Sequence, residues 1–177
     1  MATILVVDDN PINVKLLQRA LTSAGFTVRT AHDAAAARAL IVGCDLVLMD
    51  ILMPDTDGLE LTRELHRDPE TARIPVIAVT GYSDDYHERE ALAAGCVGYL
   101  TQPVDTKTLP ALIHETIART RSTTGRRKTD IRDAWTAERK RIKREVWKRH
   151  ATTALKVLAA VAAALGALVT AVRAWWK

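Results

Sequence analysis

The chain has 177 residues, enough for one full-sized domain and an appendage, and its 48% apolar and 26% charged residues exclude a generally disordered protein. The net charge of +4 combines a net charge of −6 over residues 1–125 with one of +10 over residues 126–177. The two segments are therefore expected to meet different partners. Two well-separated cysteines exclude a disulfide framework, and the acidic start of the chain is unlike a signal peptide.

Short apolar runs alternate with helical patterns over the first 120 residues. The runs predict five strands, at residues 3–7, 26–30, 45–49, 74–79 and 97–100. Capping residues predict a helix after each strand, beginning near Pro11, Asp33, Asp57, Ser83 and Asp105. Five strand–helix repeats with short connections predict an α/β fold with a doubly wound parallel sheet, in which ligands bind at the carboxyl ends of the strands.

Acidic residues stand at two of these strand ends. Asp8 and Asp9 follow the first strand and Asp50 follows the third, so three carboxylates converge if the two strands are neighbours. Like charges this close need a cation, and oxygen ligands suit Mg²⁺. A carboxylate beside Mg²⁺ can attack a phosphoryl group, and Thr80 would donate its hydroxyl to a phosphoryl oxygen. Each residue alone also fits a plainer role in a turn or strand end, so the site depends on their joint placement.

Four segments carry a resemblance to a known family: ILVVDDNPIN, DLVLMDILMPDTDGLEL, IPVIAVTGY and GYLTQPV. Together they resemble the receiver domain of response regulators in two-component signalling, over roughly residues 1–121. The resemblance implies a flavodoxin-like sheet with strand order 2-1-3-4-5. It also implies a protein that accepts a phosphoryl group from a histidine kinase or phosphotransfer protein and signals to a downstream protein effector. Such a protein catalyses transfer onto its own aspartate and does not act on a separate substrate.

The resemblance also assigns roles by position. The phosphoacceptor is Asp50, and Thr80 and Tyr99 form the switch pair, in which the aromatic ring turns inward when the threonine moves. The implied Mg²⁺ ligands are four groups: the carboxylates of Asp8, Asp9 and Asp50, and the backbone carbonyl of Leu52. Where the family has a lysine before the proline, this chain has Gln102, which offers a neutral N–H donor in place of a full positive charge. We expect phosphorylation to survive this change and the coupling to conformational change to weaken.

The C-terminal tail has an unusual composition. A polar linker at residues 122–130 precedes a predicted basic amphipathic helix at residues 131–150 and a predicted apolar helix at residues 151–177. Within the last segment, residues 157–172 carry no charge. Residues 151–176 would form a helix of about 39 Å at ~1.5 Å per residue, enough to cross a hydrocarbon core of about 30 Å.

The preceding Lys and Arg residues fit the positive-inside rule, and Trp175 and Trp176 suit the far interface. We therefore expect a cytoplasmic domain anchored to the inner membrane by its C-terminal helix. The small residues Ala162, Gly166 and Thr170 share a helix face and would permit a homodimer. The alternative for this segment is an Ala-rich soluble helix that packs on a partner.

Two other functions stay open from the sequence. The basic segment 126–149 could bind nucleic acid phosphates, although the apolar run has no use in that role and nucleic acid is not the favoured partner. Alternatively, Gln102 marks a pseudo-receiver, an interaction module that works without phosphate.

Overall fold

The computed structural model describes three stretches of the chain and one further residue: residues 1–54, 56–81 and 85–122, and Ala137. The chain divides into two compact units, Met1–Thr136 and Ala137–Lys177, and the fold below is that of the first. Apart from Ala137, the two helices predicted for the tail lie outside the described residues. In the part of the chain that is described, no helix is both long enough and apolar enough to span a bilayer.

Five parallel strands form the main sheet: β1 (Thr3–Val7), β2 (Thr27–Ala31), β3 (Leu46–Asp50), β4 (Val76–Thr80) and β5 (Gly98–Thr101). Their order is β2-β1-β3-β4-β5, which confirms the predicted topology. The register pairs Val7 with Met49 between β1 and β3, and Asp50 with Val79 between β3 and β4. The carboxyl ends of these three strands therefore meet at one edge of the sheet.

Four helices connect the strands and a fifth follows β5: α1 (Pro11–Ser23), α2 (Ala34–Leu40), α3 (Gly58–Arg67), α4 (Asp85–Ala94) and α5 (Leu109–Ser122). α1 contacts α5, and α3 contacts α4. β3 and β4 are buried along their whole length, as expected of apolar strands that helices cover on both faces. Leu21 of α1 and Ile113 of α5 are fully buried, and burial of each such side chain contributes about 1.5–3 kcal/mol.

Local signals fix the two ends of α1. The Asn10 side chain accepts a hydrogen bond from the Ile12 N–H at 2.9 Å, and Pro11 occupies the first helical position, where no N–H is needed. After the helix, Gly25 adopts a φ of +89°, and Phe26 N–H donates to the Leu21 carbonyl at 3.1 Å. As a result, α1 begins immediately after the two aspartates that follow β1.

The structure differs from the sequence prediction in two connections. The predicted loop after β3 contains a short antiparallel hairpin, Leu52–Met53 paired with Thr56–Asp57. The fifth helix begins at Leu109 instead of near Asp105, because Asp105 forms a separate turn in which its side chain accepts from Lys107 N–H at 3.0 Å. β1 has the predicted bounds, and the bounds of the other four strands move by one or two residues.

The C-terminal end of α5 contacts the sheet at the edge opposite to Asp8, Asp9 and Asp50. Asp45 accepts from Thr3 N–H at 2.7 Å with one carboxylate oxygen and from Arg121 at 2.6 Å with the other. Burial opposes ionisation of Asp45, but these hydrogen bonds and the Arg121 charge outweigh it and lower the pKa of the carboxyl. This contact fixes the C-terminal end of α5 against the sheet. The helix ends at Ser122, one residue beyond the domain boundary predicted at residue 121.

Candidate functional site

Three carboxylates converge at the carboxyl edge of the sheet. Asp8 follows β1, Asp50 ends β3, and Asp9 stands beside them. One oxygen from each lies within 4.8 Å of the others. Asp8 and Asp50 are 1% and 7% exposed, whereas Asp9 is exposed to solvent. The predicted convergence of these three carboxylates agrees with the structure, because β1 and β3 are parallel neighbours and their carboxyl ends lie side by side.

Hydrogen bonds hold Asp8 on several sides. Its Oδ1 accepts from Asn10 N–H at 2.8 Å and from the Asn13 side-chain amide at 3.3 Å. Its backbone carbonyl lies 3.2 Å from Nδ1 of His32, at the end of β2. The other carboxylate oxygen, Oδ2, is buried and has no hydrogen-bond partner within the described residues. A buried carboxylate oxygen without a donor is costly unless a cation supplies the missing interaction.

The electrostatics of the cluster also call for a cation. Burial raises the pKa of Asp50, and the negative charges of Asp8 and Asp9 raise it further, against a hydrogen bond from Leu52 N–H. Burial likewise raises the pKa of Asp8, although hydrogen bonds from Asn10 and Asn13 oppose the shift. The three carboxylates and the unpartnered Oδ2 therefore fit Mg²⁺, which prefers hard oxygen ligands and keeps several waters. The part of the Leu52 carbonyl as a ligand stays a prediction.

The backbone packs closely around Asp50. Its Oδ1 accepts from Leu52 N–H at 3.0 Å, at the start of the short hairpin. A Cβ atom at Gly58 would lie 2.1 Å from the Asp50 carbonyl oxygen and 2.8 Å from Ile51 Cα. Only glycine permits this approach of α3 to the end of β3. The sequence prediction identified Asp57 as the cap of α3 but missed the requirement for Gly58, because the close contact depends on how the chain turns back between Ile51 and Gly58.

The remaining predicted site residues lie on β4 and β5. Thr80 is fully buried at the end of β4, one position beyond the residue that pairs with Asp50. Gln102 follows β5, and its N–H donates to the Thr80 carbonyl at 2.7 Å. Tyr99 is 1% exposed, so its side chain already occupies an inward position. The structure thus brings Thr80 and Gln102 together, while their roles in phosphoryl binding and switching stay predictions.

Comparison with known proteins identifies the family. A family model described as the response regulator receiver domain matches residues 4–114. The chain belongs to this family. Protein PilH of Pseudomonas aeruginosa is 39% identical to this receiver over 120 residues, which make up 67% of this chain and 99% of PilH. The receiver of the chain is also 36% identical over 104 residues to the response regulator DivK of Brucella anthropi, covering 58% of this chain and 85% of DivK.

Other relatives are longer than the shared region. The response regulator PleD of Caulobacter vibrioides is 39% identical over 106 residues, which are 59% of this chain but 23% of PleD, so the match spans about a quarter of that relative. Among solved structures, a CheY-like receiver from Methanospirillum hungatei has a TM-score of 0.63 at 29% identity and covers 69% of this chain and 98% of its own. Receiver domains bind Mg²⁺ at an acidic Asp cluster of the kind found here.

The raised pKa of Asp50 predicts that replacing its carboxylate stabilises the metal-free protein. We expect Asp50→Asn to raise the free energy of unfolding at pH 7 without metal by about 1–3 kcal/mol, because it removes one of three neighbouring charges. The pKa of Asp50 in the folded protein lies above its ordinary value of 3.8. The wild type is therefore most stable, as far as this group is concerned, below pH 3.8, and it loses that stability as the pH rises through the raised pKa. The advantage of the variant should therefore appear on raising the pH and shrink near pH 3. Urea unfolding with a chelator, at both pH values, measures it.

Asp57→Asn is the matched control, because Asp57 is exposed, lies outside the cluster and caps α3 in a way that asparagine reproduces. Saturating Mg²⁺ should remove most of the difference between Asp50→Asn and the wild type. Equal stabilities of these two proteins in metal-free buffer at pH 7 would show that the cluster carries no repulsion.

Proposed function

We propose that this receiver accepts a phosphoryl group on Asp50 from a histidine kinase or phosphotransfer protein. The observation that carries the proposal is the convergence of three carboxylates within 4.8 Å, with a buried Asp8 oxygen lacking a partner among the described residues. In the transfer, a carboxylate oxygen of Asp50 forms a bond to phosphorus. The bond from phosphorus to the histidine nitrogen breaks, and its electron pair stays on the imidazole.

Each residue around Asp50 would have a separate role in this transfer. Asp8, Asp9 and Asp50 would hold Mg²⁺, which when bound neutralises charge on the phosphoryl oxygens. Leu52 N–H orients the Asp50 carboxylate through its bond to Oδ1. Thr80, at the neighbouring strand end, would donate its hydroxyl to a phosphoryl oxygen. The only reaction that we propose for this domain is transfer onto its own aspartate.

Gln102 distinguishes this receiver from the family pattern. A lysine at this position would bring a full charge to the phosphoryl oxygens, whereas the Gln102 amide brings a neutral donor. We propose that phosphorylation proceeds but is weakly coupled to Thr80 and Tyr99. The surface formed by α4, β5 and α5, beneath which Tyr99 is buried, would then present a modest change to the downstream effector.

Phosphorylation of the full chain by acetyl phosphate with Mg²⁺ tests the main proposal. Intact-mass measurement should show the addition of one phosphoryl group to the wild type and to Asp57→Asn, and none to Asp50→Asn. In the phosphorylated state, Gln102→Lys should show larger NMR shifts around Tyr99 than the wild type. An unmodified wild type would favour the phosphate-independent interaction module, and identical shifts in both proteins would contradict weak coupling.

We further propose that the C-terminal tail tethers the receiver to the cytoplasmic face of the inner membrane. Support comes from the sequence alone: the basic segment 126–149 is followed, after seven residues, by a run of 16 residues, 157–172, without a charge. Such a segment would attract anionic lipids, and the apolar run would insert. Tethering would raise the effective concentration of the receiver near a membrane-bound kinase.

Membrane fractionation with successive high-salt and carbonate washes tests the tether. The full chain should stay with the membrane through both washes. Leu165→Arg should be released, because an arginine at the centre of a span costs about 2.5–3.5 kcal/mol, whereas Ala151→Arg, at the end of the segment, should be retained. Release of the wild type by salt alone would instead indicate electrostatic binding by the basic segment, and a soluble wild type would direct the search to a protein or nucleic acid partner.

A further inference from the structure

A cavity opens at the edge of the sheet opposite to Asp50. It lies where the chain enters β3 and β4 and where α5 ends, and its volume is about 300 Å³. Ligand pockets span roughly 300–1,000 Å³, so this one suits one or two side chains better than a whole small molecule. Four residues give this cavity, the basal cavity, a mainly apolar lining: Cys44, Ile74, Pro75 and Ile117.

Two arginines also line the basal cavity. Arg121 of α5 already pairs with Asp45 at 2.6 Å. Arg73 is exposed, and no ion pair joins it to an acid within the described stretches of the chain. An occupant that offers an apolar side chain together with a carboxylate would therefore match both the apolar lining and the charge of Arg73.

The chain itself continues from the rim of this cavity, because Arg121 lines it and α5 ends one residue later. The first large apolar residue after the helix is Ile131, nine residues on, within a reach of about 30 Å at ~3.3 Å per residue. Asp130 and Asp133 stand on either side of it and are two of the four acids in the basic segment 126–149. The segment thus has the combination of residues that the cavity would accept.

The segment that carries Ile131 also belongs with the receiver. The compact unit that contains the receiver reaches Thr136, beyond the end of α5 at Ser122. A contact within one chain across a short linker requires only loop closure, and the linker keeps the local concentration of the segment high. A separate partner would lose its own freedom of movement on binding. The chain's own segment is therefore the favoured occupant.

We propose that the chain after α5 folds back and places Ile131 in the basal cavity, with its neighbouring acids beside Arg73. The contact attaches the start of the tail to the receiver at the edge of the sheet away from the phosphoacceptor. It leaves the acidic cluster open to a cation and to a phosphodonor. The inference is therefore independent of the phosphorylation of Asp50.

Methyl NMR of the full 177-residue chain, labelled at its isoleucine methyl groups, tests the proposal. We expect nuclear Overhauser effects between Ile131 and both Ile74 and Ile117. Ile131→Ser should shift the methyl signals of Ile74 and Ile117, because it removes the apolar occupant of the cavity. Ile142→Ser is the matched control, the same substitution at the next isoleucine of the tail, and should leave both signals in place.

Three results would overturn the proposal. The first is the absence of these Overhauser effects together with unchanged signals of Ile74 and Ile117 in Ile131→Ser. The second is a shift that also reaches the fully buried Ile77 and Ile113, since it would indicate a general change in the fold. The third, in a mixture of two differently labelled chains, is Overhauser effects between copies alone, which would assign the cavity to the tail of a second copy.

Discussion

Repulsion among three carboxylates at one sheet edge is the constraint on which the site depends. Parallel pairing of β1 with β3 brings Asp8 and Asp50 together, and Asp9 adds a third charge within 4.8 Å. Burial and these mutual charges raise the pKa of Asp50, so the metal-free protein holds its acidic residues at a cost. A bound cation would remove that cost and leave the Asp50 carboxylate free to attack a phosphoryl group. The proposed metal binding and the proposed phosphoryl transfer thus rest on one electrostatic arrangement.

Residues that are not acidic hold the three carboxylates in this arrangement. Asn10 caps α1 and donates its N–H to Asp8, so the helix start and the orientation of the carboxylate depend on the same residue. Gly58 lets α3 begin against the backbone of Asp50, where any side chain would overlap the carbonyl oxygen. Gln102 N–H holds the end of β4 through the Thr80 carbonyl, although its side chain lacks the charge of the family's lysine. Residues outside the acidic cluster therefore fix its geometry, and the Gln102 side chain adds no charge to it.

Much of this could be predicted from the sequence, because alternating apolar runs and capping residues define a doubly wound sheet, and that topology alone places strand-end residues together. The predictions for the strand order and for the convergence of Asp8, Asp9 and Asp50 agree with the structure. The short hairpin after β3 and the close approach at Gly58 could not be predicted, because both arise from contacts between segments that sequence periodicity does not reveal. The hydrogen bond from the Asn13 side chain to Asp8 could not be predicted either, because the sequence pattern of α1 shows Asn13 only as a polar helix residue.

If the three carboxylates form a single cation site, titration of the isotope-labelled full chain with Mn²⁺, followed by NMR, will locate it. A paramagnetic ion broadens the signals of the nearest nuclei first. We expect the amide signals of Asp9, Asp50 and Thr80 to broaden at the lowest Mn²⁺ concentrations, and added Mg²⁺ to restore them. The signal of Asp45, at the opposite edge of the sheet, should stay sharp. Broadening that begins instead at the exposed acids of α3, or that is uniform across the domain, would show that the three carboxylates do not form a cation site.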